Sequence, residues 1–78
     1  MNRTYAVEAY LRAHPGWHST RDITRGLAPT TLRPMSDHQV VRHLRRLHEA
    51  GHIEASMQPR QVGRGQVVCL AVWRSREA

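Results

Sequence analysis

Lysine and phenylalanine are absent from this 78-residue chain, cysteine occurs once, and six acidic residues stand against twelve arginines. Each shortage excludes something. The single cysteine, Cys69, permits no internal disulfide, which fits a reducing compartment, and it is expected to pack as a small hydrophobe in the last strand. The aromatic residues are Tyr5, Tyr10, Trp17 and Trp73 only. Both tryptophans fall where core packing would use them, so no aromatic platform for single-stranded nucleic acid is expected. No apolar run is long enough to cross a bilayer or to serve as a signal-peptide core. A cytoplasmic, nucleoid-associated protein with no membrane partner is the expectation. The opening methionine and the lack of a tag-like tail suggest a complete small protein.

Catalytic and metal-binding patterns are lacking too. His14 and His18 are separated by Pro15 and Gly16, and His38, His43 and His48 recur every five residues and so point to different sides of a helix. No Cys-x-x-Cys or His-Glu-x-x-His spacing occurs, so no metal or other cofactor is expected, and His48 is expected to be partly buried and hydrogen-bonded. No local set of nucleophile, base and orienting acid appears, and Gly63-Arg64-Gly65 is too short for a phosphate-cradling loop. A chain of this size buries only about 60% of its unfolded surface, which leaves one core and few walls for a deep cleft. The expectation is that the protein is not an enzyme.

What the sequence does have is positive charge. The formal net charge is +6 with histidines neutral, and every basic side chain other than histidine is a guanidinium. Such a surface attracts polyanions, and the guanidinium fork binds phosphates and guanine edges through paired hydrogen bonds. The bland alternative is charge carried for solubility.

Without repeats, low-complexity tracts or linkers, residues 1–78 parse as one domain. Residues 3–14, RTYAVEAYLRAH, place Ala6, Val7, Tyr10 and Leu11 on one helical stripe, ended by Pro15 and Gly16. Trp17 sits in a short extended piece suited to a third strand. Ser19 can cap a second helix with Asp22 near its positive end, Ile23 and Leu27 packing inward and a stop at about Gly26. The turn-rich stretch GLAPTTLRP, residues 26–34, reads as a loop. Ser36 and Gln39 then form a capping box for a third helix, with Val40, Leu44 and Leu47 inward, Val41 and His48 flanking, and Gly51 as the stop. After Gly51 the period changes from 3.6 to 2. HIEASM alternates Ile53, Ala55 and Met57 against His52, Glu54 and Ser56. QPRQVGRGQ is turn-rich, and VVCLAVW is apolar enough for a strand with much of both faces covered. A hairpin alone is marginal, so this one is expected to lie against the helices.

Over roughly residues 3–74 this order resembles the winged helix-turn-helix family, an α+β fold of three helices with a small antiparallel sheet and a C-terminal β-hairpin wing. The resemblance rests on SDHQVVRHLRRLHEAGHIEA, residues 36–55, which is similar to the recognition helix and first wing strand of MarR-like and related small bacterial or phage regulators. The resemblance implies that the third helix enters the major groove of double-stranded DNA with its N-terminal half on base edges. Beyond the Ser36 cap, His38, Gln39 and Arg42 are then the candidate base readers, and Arg45 and Arg46 meet phosphates. Among the outward positions only Glu49 is acidic, so compensating i, i+4 pairs are largely missing. Arg60 and Arg64 are expected in the hairpin loop, where Gly63 and Gly65 allow close approach to a backbone or minor groove. Ser19, Thr20 and Arg21 form a candidate phosphate clamp at the start of the second helix, with Arg25 and Arg33 as further members.

Three functions follow in order. The first is sequence-specific duplex-DNA binding, most simply by a small transcriptional regulator or repressor of a bacterium, phage or mobile element, with an architectural factor for recombination or replication as a close variant. The second is a protein-interaction adaptor docking an acidic partner, and structured RNA ranks third. Homodimerisation, weak and formed only on DNA through the first helix or last strand, stays open.

Overall fold

The computed structural model describes residues 3–30 and 33–76. Positions 31 and 32 of the expected loop lie outside the described residues. In chain order come α1 (Arg3–Ala13), β1 (His18–Ser19), α2 (Thr20–Leu27), a 3-10 turn (Ala28–Thr30), α3 (Asp37–Glu49), β2 (Ile53–Gln61) and β3 (Val67–Ser75). Three helices and a three-stranded antiparallel sheet of order β1-β3-β2 make the expected α+β architecture.

Local chemistry sets the helix ends. Before α2, the Asp22 amide donates to Ser19 Oγ at 3.2 Å and the Ser19 amide donates to Asp22 Oδ2 at 3.4 Å. Before α3, the Gln39 amide donates to Ser36 Oγ at 3.2 Å and the Ser36 amide donates to Gln39 Oε1 at 3.0 Å. Each reciprocal pair satisfies amides that the first helical turn leaves without partners. At the far end of α3, Gly51 takes φ +82°, its amide donates to the His48 carbonyl and the His52 amide donates to the Leu47 carbonyl. These two bonds close the helix in a Schellman motif and turn the chain directly into β2.

One face of each helix supplies the core. Val7 and Leu11 from α1, Ile23 and Leu27 from α2, and Val40, Leu44 and Leu47 from α3 are buried with Met35, Ile53 and Trp73. α2 ends at Leu27, one residue past Gly26, close to the expected stop. A Cβ at Gly26 would collide with the Tyr10 ring of α1, so glycine is what lets the two helices approach.

Trp73 fastens the sheet to the helices. Its strand is central, so Trp73 is flanked by His18 on one side and Ala55 on the other. Its indole N–H donates to Thr20 Oγ1 at the head of α2 at 3.1 Å, and its ring meets His48 of α3 edge-on at a centroid distance of 6.3 Å. Trp17 is only half-buried, just outside β1, with the Arg74 guanidinium 4.4 Å above its ring. Arg74 also donates to Glu54 across the β2–β3 ladder at 3.0 Å.

The hairpin departs from expectation in its outer half. Ile53, Val72 and Trp73 are buried, but Val67, Val68 and Cys69 are exposed, so Cys69 is no core residue. Ala55 and Met57 are exposed as well, although they share the helix-facing side of the ladder with Ile53 and Trp73. The cause is length. Nine extended residues reach about 30 Å, beyond the helical layer, so only the inner half has helices to lie on. β2 runs through Gln61, which puts Arg60 in the strand opposite Val68 rather than in the loop. Pro59 fits there because β2 is an edge strand. His48 is exposed, and the histidine of α3 that is half-buried and hydrogen-bonded is His43.

Leu44 is fully buried whereas Val67 is 64% exposed on the overhanging wing. Leu44→Ala is expected to destabilise the protein by about 2–5 kcal/mol, and Val67→Ala by less than about 0.5 kcal/mol. Urea-denaturation midpoints of the two variants check this contrast.

Candidate nucleic-acid interface

The outer side of α3 is assembled by helical periodicity. With Val40, Leu44 and Leu47 turned into the core, Ser36, His38, Gln39, Arg42, Arg45 and Arg46 are all exposed. Two acids share this helix: Glu49 at the end and Asp37 at the first helical position, where the helix dipole favours a carboxylate. The Gln39 side-chain oxygen already accepts from the Ser36 amide, which leaves its second lone pair and its NH2 group for an adenine and fixes the orientation from which they are offered.

Two depressions flank α3. The first is an open groove of about 610 Å³ between the head of α2, Asp37 and the outer half of the wing, lined by Ser19, Thr20, Arg21, Asp22, Arg25, Asp37, Arg60, Gln61, Val62, Leu70 and Ala71. It brings Arg21 and Arg25 of α2 together with Arg60 of β2, residues far apart in sequence. The Ser19, Thr20 and Arg21 clamp sits here with part of its chemistry already committed. Asp22 occupies the α2 amide of Ser19, and Thr20 Oγ1 accepts the Trp73 indole. An anion at this point meets the Asp22 carboxylate, and the arginines must outweigh it.

The second depression, about 260 Å³, lies between α1 and α3 and is lined by Arg3, Gln39, Arg42, His43 and Arg46. Gln39, Arg42, His43 and Arg46 are spaced i, i+3, i+4 and i+7, so they form one stripe of α3. Thr4 Oγ1 and His43 Nδ1 are 2.8 Å apart, a hydrogen bond that ties α1 to α3. Partial burial, then the positive fields of Arg46, Arg3 and Arg42, hold His43 below the ordinary histidine value of 6.5. Arg3 and His43 escaped the sequence reading. The stripe was legible in principle from the helical period, but the presence of Arg3 beside it depends on how α1 crosses α3.

Arg64 stands apart from both depressions, at the wing tip. The turn is closed by the Val62 amide donating to the Gln66 carbonyl at 2.9 Å, and Gly63 and Gly65 take φ +69° and +71° on either side of Arg64. Open space surrounds both glycines, so the exposed Arg64 side chain projects from a narrow, low-bulk tip. Arg33 is exposed but lines neither depression. Among the described residues, no group of three or more His, Cys, Asp or Glu side chains could hold a metal ion. No described helix is long and apolar enough to cross a membrane.

No protein-family model matches the chain, and no curated protein matches it. A solved structure of HOP2, from work on its DNA recognition and protein interaction domains and its homologous DNA pairing properties, is similar with a TM-score of 0.65. The match covers 95% of this chain and 98% of that one at 16% sequence identity. At that identity the likeness is one of fold, and the fold is a winged helix, with β2 and β3 as the wing.

His43 supplies a pH test of the α1–α3 contact. Its folded-state value lies below 6.5, so the unfolded chain binds the proton more readily than the native protein. The stability it contributes is fully present above pH 6.5 and is lost as pH falls through the lower folded value. The urea midpoint of the parent protein is expected to drop more steeply on acidification than that of His43→Gln, and parallel curves would refute the assignment.

Proposed function

We propose that this protein is a sequence-specific duplex-DNA-binding protein and not an enzyme, with α3 in the major groove and the wing tip on the backbone or in the minor groove. The observation that carries this reading is the run of exposed cationic side chains on α3, with depressions containing further arginines on both sides of the helix. Arg42 suits the paired acceptors of guanine, and His38 and Gln39 are positioned in sequence to join it near the helix N-terminus. Arg45 and Arg46, further along, act on phosphates. Arg64 reaches a backbone or minor groove from the wing, and Arg21, Arg25 and Arg60 neutralise phosphates along the groove beside α2.

The MarR-like resemblance of residues 36–55 makes a small transcriptional regulator of a bacterium, phage or mobile element, acting as a repressor in the cytoplasm, the simplest form of this function. A second form, an architectural DNA-binding factor or a protein-interaction adaptor, draws support from the wing. Met57 is 61% exposed and Val67 is exposed further along the same face of the wing, with Val68 exposed on the other face, apolar surface of the kind that interaction sites carry. HOP2, the protein of similar fold, is described in terms of both DNA recognition and protein interaction.

Selection from a random duplex library, followed by fluorescence anisotropy at several salt concentrations, separates these forms. A regulator is expected to enrich one motif and bind it about 10³-fold or more tighter than scrambled DNA. Salt-sensitive binding without a motif supports the architectural form, and absence of duplex binding at physiological salt supports the adaptor. On the selected duplex, Arg42→Ala is expected to cost about 1–3 kcal/mol and relax preference at one base pair. Arg64→Ala should weaken all duplexes evenly and reduce the slope of log affinity against log salt by about 0.9 for each phosphate that Arg64 neutralises. Anisotropy of both variants on matched and scrambled duplexes measures the difference.

A further inference from the structure

The cleft between α1 and α3 is built like an anion site. Three arginines from two helices, Arg3, Arg42 and Arg46, line one depression with Gln39 and His43, and among the described residues no carboxylate lines it. Its volume of about 260 Å³ lies just below the range of small-molecule pockets and is ample for a phosphate group. Like charges gathered at this spacing repel one another, so an occupant of opposite charge relieves a cost that the free protein bears.

We propose that this cleft binds one phosphodiester of the DNA backbone, held by Arg3, Arg42 and Arg46, and that His43 couples its occupancy to uptake of a proton. The proposal rests on the duplex-DNA reading above and adds to it a site, a residue from α1 and a dependence on pH. Arg42 thereby serves the backbone side of α3 as well as its groove side.

The coupling follows from what faces His43. Arg3 and Thr4 approach it from α1, Arg42 adjoins it on α3, and Arg46 lies about one turn further along. In the free protein these arginines and partial burial oppose a charge on the ring. A bound phosphate offsets part of that positive field and shifts the balance toward the imidazolium. In the tautomer whose Nδ1–H donates to Thr4 Oγ1, the added proton goes to Nε2, and the contact between the helices is kept. No covalent step is involved. Binding and protonation are linked, so affinity rises as pH falls through the interval between the free and the occupied values of His43.

The test uses the full chain and its selected duplex, with and without His43→Gln. Anisotropy titrations between about pH 6 and pH 8, around the histidine range, are expected to show affinity rising by up to about tenfold per pH unit. His43→Gln should flatten that dependence, and Arg3→Ala should lower affinity evenly on matched and scrambled duplexes. Identical pH profiles with and without His43 would overturn the proposal. A second measurement keeps the site separable from the DNA reading: NMR titration of the His43 ring with and without inorganic phosphate. An upward shift of the ring's titration midpoint in phosphate supports the site, and an unmoved midpoint overturns it. If phosphate moves His43 while no duplex binds, the anion site stands and the duplex-DNA reading fails.

Discussion

The attachment of the wing at Trp73 is the contact on which the rest of this molecule depends. Trp73 sits in the central strand, so its backbone is held by β1 and β2 together, and its side chain reaches both α2 and α3. A β-hairpin has little stability alone, and here only the inner part of each strand rests on the helical core. The buried indole, hydrogen-bonded through its one polar atom, anchors that inner part. Everything beyond it, including Arg60, Arg64 and the exposed valines, is carried outward on paired strands. The separation between a buried root and an exposed tip is what turns the hairpin into a wing.

The core and the charge distribution are consequences of the same helical geometry. Turning Val40, Leu44 and Leu47 inward obliges the remaining positions of α3 to face out, and those positions are mostly arginine and histidine. The neighbouring helices then decide what lies beside them. α1 delivers Arg3 to one flank, and α2 with the wing delivers Arg21, Arg25 and Arg60 to the other. The cationic surface is therefore not a property of α3 alone. It is an arrangement of four elements around a helix whose buried side holds them in place.

Two local commitments temper a simple picture of freely available side chains. Gln39 closes the cap of α3, and Thr20 accepts the Trp73 indole, so both residues contribute to folding as well as to a candidate contact surface. Asp22 and Asp37 bring negative charge into the groove beside α2. Specificity can gain from such groups, because a partner that places an unpaired charge or a misaligned acceptor near a carboxylate is rejected.

Much of the architecture was legible in the sequence because it is written in short-range patterns. The spacing of Val7 and Leu11, the Ser19–Asp22 and Ser36–Gln39 caps, the stop at Gly51 and the change of period after it are all relations among residues within a few positions of one another, where backbone geometry alone dictates who meets whom. The third strand before α2 was legible for the same reason. What failed, failed where long-range geometry decides. Alternation in β2 does not reveal how far the helices extend beneath it, so Met57 and Cys69 read as covered and are exposed. Gly26 reads as the stop of α2, close to where the helix ends, but the Tyr10 ring of another helix that requires a glycine there is not legible. His43 reads as one of six scattered histidines, and only the crossing of α1 over α3 sets Thr4 against it across 39 positions of chain and brings Arg3 to the same cleft. The sequence by itself determined the helices, their ends, the hairpin and the excess of arginine. The tertiary structure decided which arginines share a depression and which apolar residues lack a cover, because those outcomes depend on packing between elements and not on the period within one.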